Sequence, residues 1–288
     1  MNLPKLKQIL LEDITNELKQ VNGVRALVLG GSFAVGMATE SSDIDIGIYY
    51  SEDKPFDIEE IKLIAQKYAS KIATPTVTGF YEWGPWVNGG AWIETENGKV
   101  DFIYKNIKQI VTTIESAKNG IWENHFEQQP PYGFSSITFL AETKYCISLY
   151  DSDLIIENLK KEVQEYPPHL RKAVIQQSLW SAEFTIWQAK SFALKSDLFN
   201  TVGCLTRAIK SIITTLFAIN EIYPLGDKRA LNILEQADKT PINLTNKINY
   251  ILCCTISSLY NYVQSITELF KETASLAGDL YKPYYKLI

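Results

Sequence analysis

Val24-Arg25-Ala26-Leu27-Val28-Leu29-Gly30-Gly31-Ser32, and after it Ser42-Asp43-Ile44-Asp45-Ile46-Gly47-Ile48-Tyr49-Tyr50, is the stretch on which the reading of this chain turns. The first run is short and apolar and stops at two glycines, after which Phe33 to Met37 can turn into a helix. The second alternates over its first four residues and then becomes apolar, as a strand does when its start is functional and its end is buried. The order is strand, glycine turn, helix, strand.

Asp43 and Asp45 stand two apart on that strand, so both carboxylates leave the same face, about 7 Å apart along the chain. This spacing suits divalent metals. Mg²⁺ prefers carboxylate oxygen and keeps several waters while bridging to phosphates, so two or three carboxylates are enough protein ligands. A third is Asp101, in Val100-Asp101-Phe102-Ile103-Tyr104, where a charge beside an apolar run is costly to bury without a cation or donors. Gly30-Gly31-Ser32 supplies the complement: glycine lets backbone N–H groups approach an anion, and a helix start adds partial positive charge.

Taken together, Gly30-Gly31-Ser32, Ser42-Asp43-Ile44-Asp45 and Asp101 resemble the signature of DNA polymerase beta-like nucleotidyltransferases. The match is close over residues 24 to 50 and looser through residue 104. The family includes antibiotic adenylyltransferases of the kanamycin and lincosamide types, in which a helical domain follows the catalytic one. The resemblance implies an α+β chain, a mixed-sheet nucleotidyltransferase domain over residues 1–128 followed by an all-α helical bundle over 129–288. It also implies that Asp43 and Asp45 hold two Mg²⁺ ions, Asp101 helping to hold the one next to an attacking hydroxyl. Gly31 and Ser32 would cradle the β- and γ-phosphates of a nucleoside triphosphate, with Gly30 and Ser42 in the same binding segment. The implied reaction is in-line displacement at the α-phosphorus, with pyrophosphate leaving. Asp101, Glu82 and Glu94 are the candidates to accept the hydroxyl proton.

Around this segment, apolar spacing predicts a helix over residues 5 to 21 and another over 57 to 71, with β-rich runs at Thr76 to Tyr81, Ala91 to Glu94 and Lys99 to Tyr104. Asn97-Gly98 signals a two-residue hairpin between the last two. From about residue 105 the period becomes helical. A linker is expected at Gln128 to Gly133, and helices near 135–149, 153–164, 168–193, 198–220, 227–238 and 243–276.

Glu82-Trp83-Gly84-Pro85-Trp86-Val87-Asn88-Gly89-Gly90 is unusual for a connector. Its indoles suit either a stacking platform or an interface cover, which makes Glu82, Trp83, Trp86, Asn88 and Glu94 the candidate acceptor or base pocket. Lys228, in the turn Tyr223 to Arg229, is a candidate triphosphate contact. His125 and Arg171 read as surface residues, and Tyr281, Tyr284 and Tyr285 as helix packing or a homodimer contact.

The net charge of -5 repels polyanions, which argues against a nucleic-acid partner and for a neutral or cationic small-molecule hydroxyl acceptor. The amino terminus lacks the apolar run of a signal peptide. Ile248 to Thr267, the only membrane candidate by this reading, is interrupted by polar residues at positions that leave one apolar helix face, and it reads as core. Cys146, Cys204, Cys253 and Cys254 lack metal or disulfide spacing and suit a reduced, cytoplasmic setting. Three functions remain in view: adenylate transfer to a small antibiotic-like molecule, the same chemistry on a tRNA end or other macromolecule, and a noncatalytic nucleotide-binding module.

Overall fold

Leu10, Leu11, Ile14 and Leu18 recur at helical spacing, and they form the buried face of α1 (Lys5–Leu18). Gly23 follows with φ +95°, where a Cβ would lie 2.6 Å from the Phe56 amide, so the turn into the first strand accepts only glycine. The computed structural model describes residues 3–288. Those residues divide into two compact units, the first running up to Glu115 and resuming over Asn124–Glu165, the second comprising Ser116–Glu123 and Tyr166–Ile288.

The first unit contains β1 (Val24–Leu29), α2 (Gly31–Ala34), β2 (Ile44–Tyr50), α3 (Ile58–Tyr68), β3 (Thr76–Val77), β4 (Gly90–Thr95) and β5 (Gly98–Asn106). Then come α4 (Ile107–Lys118), which runs into the second unit, β6 (Asn124–His125), β7 (Phe134–Ser135), α5 (Ile137–Tyr145), β8 (Ile147–Tyr150) and α6 (Ile155–Glu162). The main sheet has the order β3-β4-β5-β2-β1-β8, and only β2 and β5 pair in parallel. One face carries the apolar half of each alternation, Ala91, Ile93, Ile44, Ile46, Ile48, Val100, Phe102 and Tyr104, in one buried cluster with residues of α1 and α3. The mixed sheet followed by a helical region is the α+β architecture that the resemblance implies.

The structure departs from the local expectations at several places. Residues 135–149 are not one helix: α5 ends at Tyr145, and the chain turns at Cys146 to lay β8 antiparallel along β1, pairing Leu27 with Tyr150 and Leu29 with Ile147. This covers the edge that β1 would otherwise expose, a demand that arises only once the sheet exists. Gln128 to Gly133 joins β6 to β7 inside the first unit, so the division between units falls at Glu165/Tyr166 rather than at 128/129. The strand expected over 76 to 81 is confined to Thr76 and Val77. At the hairpin, Thr95 pairs with Gly98, leaving Glu96 and Asn97 as the loop.

The second unit is helical: α7 (Pro168–Leu194), α8 (Leu198–Ile219), α9 (Ala230–Glu235), α10 (Leu244–Leu252), a short 3-10 turn at Ile256–Ser258, α11 (Leu259–Ala277) and a second 3-10 turn at Gly278–Leu280. Its core joins Leu179, Ala182 and Ile186 of α7 to Leu205, Ile209 and Ile212 of α8 and Val263, Ile266 and Leu269 of α11. The helix expected over 243–276 breaks after Leu252, so the stretch Ile248 to Thr267 is two elements. Among the described residues, α8 is the one helix long and apolar enough to cross a membrane, and half of its apolar window is buried. The carboxyl-terminal segment is tied to α7: buried Glu183 accepts from the Tyr281 hydroxyl at 2.7 Å and the Leu287 amide at 3.2 Å. Tyr281 is thus internal packing, while Tyr284 and Tyr285 are exposed.

Glu17 on α1 accepts from Lys67 at 2.5 Å and from the Tyr68 hydroxyl at 2.6 Å, fastening α1 to α3. Burial pushes its carboxyl up, but these two partners outweigh it and hold the pKa below the ordinary glutamate value. A lowered folded-state pKa gives stability that is present above the unfolded pKa and lost as pH falls through the folded one. Glu17→Gln is therefore expected to unfold at lower urea concentration than wild type at neutral pH, with the difference closing below about pH 4. A difference that stays constant across that range would exclude this role.

Candidate active site

In the parallel pairing of β2 with β5, Asp45 stands directly opposite Asp101, between the buried pairs Ile44 with Val100 and Ile46 with Phe102. Register and the period of two put both carboxylates on the face opposite the core, about 5 Å apart in the strand-to-strand direction. In the β4 to β5 pairing Trp92 stands opposite Asp101 and Glu94 opposite Lys99, so these side chains share that face. Lys99 Nζ lies 3.4 Å from Asp101 and 3.8 Å from the Asp43 carboxylate, which places Asp43, just before β2, in the same group. Asp43, Asp45 and Asp101 are thus brought together as the motif spacing predicts.

The glycine turn abuts this group. Gly30 N–H donates to the Asp45 carbonyl at 2.8 Å. Gly31 has φ +56°, and a Cβ on it would sit 1.8 Å from Asp45 Oδ2. The turn and the carboxylate are a single fitted piece, and the second glycine makes the fit possible. The helix that follows is only four residues long, so little of a helix dipole reaches the turn. Ser32 is half-buried on this helix.

Ser42 serves the loop rather than a ligand: its Oγ accepts from the Thr39 amide at 2.8 Å. Lys7, a buried lysine of α1, donates to the carbonyls of Glu40 at 2.9 Å and Ser42 at 2.5 Å and so pins the backbone immediately ahead of Asp43. Lys7 is not among the residues that the sequence reading singles out. Its only signal was a charge among the apolar residues of the first turn.

Burial raises the Asp101 pKa above the usual carboxylate value; Asp43 and Glu94 add to the rise, and Lys99 opposes it. Burial works against the Lys99 ammonium, but Asp101, Asp43 and Glu94 prevail and hold its pKa above the ordinary value. Asp101 Oδ1 is buried without a hydrogen-bond donor. That carboxylate oxygen, 3.4 Å from Lys99 Nζ, has the chemistry that a hard divalent cation takes. Among the described residues, however, no group of three or more His, Cys, Asp and Glu side chains is gathered closely enough to hold a metal unaided. Lys99 supplies part of the compensating positive charge.

The aromatic segment divides into two roles. Trp86 turns inward against Phe139 at 5.5 Å, Phe134 at 5.8 Å and His125 at 5.2 Å, so it is packing rather than pocket, and His125 is its neighbour rather than a free surface residue. Asn88 is buried and donates to the Tyr50 hydroxyl at 2.8 Å, again a structural post. Buried Gln128 fixes the loop, accepting from the Trp86 amide at 2.9 Å and donating to the Trp83 and Val87 carbonyls at 2.9 and 3.0 Å. Those bonds explain why the supposed linker is part of the unit. Trp83 instead stacks on Trp92, with ring centroids 4.9 Å apart and planes 21° apart. Sequence reading missed Trp92. The available signal was a tryptophan at the outward position of the alternation Ala91-Trp92-Ile93-Glu94. Glu82 and Glu94 are exposed, and Glu94 faces Lys99. Lys228 and Arg171 belong to the second unit, where Arg171 pairs with Glu221 at 2.7 Å; neither is among the residues that the first unit brings together.

Gly30 and Gly31 should respond oppositely to alanine. A Cβ at Gly30 meets only Asp45 atoms at 3.8 Å, an ordinary contact, so Gly30→Ala is expected to unfold within about 1 kcal/mol of wild type. Gly31→Ala must displace the Asp45 carboxylate and adopt an unfavourable φ, and a loss of more than about 2 kcal/mol is expected in urea titration. Equal stability of the two variants would contradict the fit. Lys7→Met, which leaves two loop carbonyls without their donor, is expected to cost about 2 kcal/mol in the same assay.

Residues 11–79 match the family model described as the nucleotidyltransferase domain. None of the curated proteins matches the chain. A solved structure, the nucleotidyltransferase-like protein from Exiguobacterium sibiricum 255-15, is similar over 94% of this chain and 78% of its own, at 7% identity and a TM-score of 0.48, a likeness too slight to bear on chemistry. The matched segment holds β1, the Gly30-Gly31 turn, Asp43 and Asp45, and over that segment the chain is similar to a nucleotidyltransferase domain.

Proposed function

We propose that the first unit transfers a nucleoside monophosphate, adenylate in our reading, from a nucleoside triphosphate to a hydroxyl of a small-molecule acceptor. The observation that carries this most is the register of Asp45 with Asp101, with Gly31 seated against Asp45. The backbone amides of Gly31 and Ser32 would bind the β- and γ-phosphates, since glycine allows close approach at the turn. Mg²⁺, held by Asp43, Asp45 and Asp101, would supply charge neutralisation at the phosphate oxygens.

The acceptor oxygen forms a bond to the α-phosphorus while the bond to the bridging oxygen breaks, its electron pair leaving with pyrophosphate. The hydroxyl proton passes to Asp101 or to solvent. Lys99 keeps Asp43 and Asp101 close before the nucleotide arrives, which limits the reorganisation that binding requires. The net charge of -5 favours a neutral or cationic acceptor over a polynucleotide, and four free cysteines accord with a reducing, cytoplasmic setting.

Asp45→Asn and Asp101→Asn are expected to lower Mg²⁺-dependent pyrophosphate release from ATP at least about a hundredfold, measured against a panel of hydroxylated antibiotics. Far-ultraviolet circular dichroism should remain that of wild type. Release that is unchanged in Asp45→Asn would overturn the proposal.

A further inference from the structure

Along α8 the residues Phe199, Gly203 and Arg207 follow one another at steps of four, and along α7 so do Phe184, Gln188 and Phe192. Each set is one stripe of its helix, and the two stripes line the same cavity of about 900 Å³ within the second unit. The rise over either stripe makes it about 12 Å long, just over two helical turns. One wall is fixed, because the Phe184 ring stacks on Trp180 with centroids 5.7 Å apart and planes 3° apart. Phe199 is 86% exposed, so the cavity is a groove open along one side.

Gly203 is the part of this groove that the chain itself does not explain. It lies in the interior of a 22-residue helix, where glycine is less favourable than alanine, yet a Cβ on it would meet nothing within 4 Å. No described neighbour needs the missing side chain, so the need comes from something that passes over the groove floor. A small ligand is normally enclosed in its site, and here the open side would leave it wet. A lipid surface presents no backbone for which an absent side chain makes room. A helix meets both conditions, since it buries one stripe, keeps the other in water and can approach closely over glycine.

The charges at the groove set the sign of that helix. Arg207 lines it, and Lys195 ends α7 at the adjoining turn; both are exposed, and neither makes an ion pair among the described residues. Asp197, the acid of this turn, is already engaged as the α8 N-cap, accepting from the Asn200 amide at 3.1 Å and its side-chain amide at 2.7 Å. The groove is therefore basic in a chain whose net charge is -5.

We infer that this groove receives an acidic amphipathic helix of a partner protein. The apolar stripe of the partner lies against Phe184, Phe192 and Phe199, its backbone crosses Gly203, and its carboxylates meet Arg207 and Lys195.

The test is fluorescence anisotropy of the full chain with a short fluorescein-labelled peptide that carries leucine at helical spacing and glutamate elsewhere, beside its lysine counterpart. Wild type should bind the glutamate peptide at least about tenfold more tightly than the lysine peptide, and Arg207→Glu should reverse that preference. Gly203→Leu should weaken binding of the glutamate peptide at least about tenfold while unfolding at no lower urea concentration than wild type. Phe199→Ser, at a position the chain leaves exposed, should weaken it as well. The proposal is overturned if the two peptides bind wild type equally, or if Gly203→Leu binds as wild type does. It is also overturned if phosphatidylglycerol vesicles bind wild type and release Phe199→Ser, which would make the groove a membrane face. A wild-type dimer in light scattering that Phe199→Ser dissolves would overturn it too, by assigning the groove to a second copy of this chain.

Discussion

Asp45 Oδ2 stands where a side chain on Gly31 would begin, and most of the first unit is arranged around that contact. For the carboxylate to be there, β2 must pair antiparallel with β1 so that the Gly30 amide meets the Asp45 carbonyl. It must also pair in parallel with β5 at the register that brings up Asp101. A slip of one residue would turn Asp45 into the core and Ile44 and Ile46 out of it. The apolar packing of the sheet on α1 and α3 therefore enforces the chemistry on the opposite face, and the site inherits its precision from the core.

Three carboxylates on one small surface repel each other, and the fold compensates locally rather than by dispersing them. Lys99 stands between Asp43 and Asp101 on the same side of β5 as Asp101, and Lys7 braces the preceding loop through backbone carbonyls instead of carboxylates. One oxygen of Asp101 still lacks a donor. A buried acceptor of this kind is destabilising on its own account and is tolerated where a ligand supplies the missing interaction.

The aromatic segment shows how neighbouring residues of one type separate in role. Trp83 and Trp86 are three apart, yet one stacks on the exposed Trp92 and the other is enclosed by Phe134 and Phe139. Gln128, distant in sequence, holds both through their backbones. Treating Gln128 to Gly133 as a linker ignored the need of a buried amide for partners, and that need ties the segment to the loop.

By itself the sequence determined the strand, glycine turn and strand over residues 24 to 50, the shared face of Asp43 and Asp45, the place of Asp101 on a later strand, and the helical character of the second half. These follow from periods of two and 3.6 and from what glycine alone can do, which are local properties of the chain. Only the tertiary structure decided that Asp101 faces Asp45, that Lys99 lies between the carboxylates, that β8 returns to cover β1, and that Trp92 rather than Trp86 is presented beside the site. Each of these depends on the register and pairing of strands far apart in sequence, and no local pattern encodes which strands will meet.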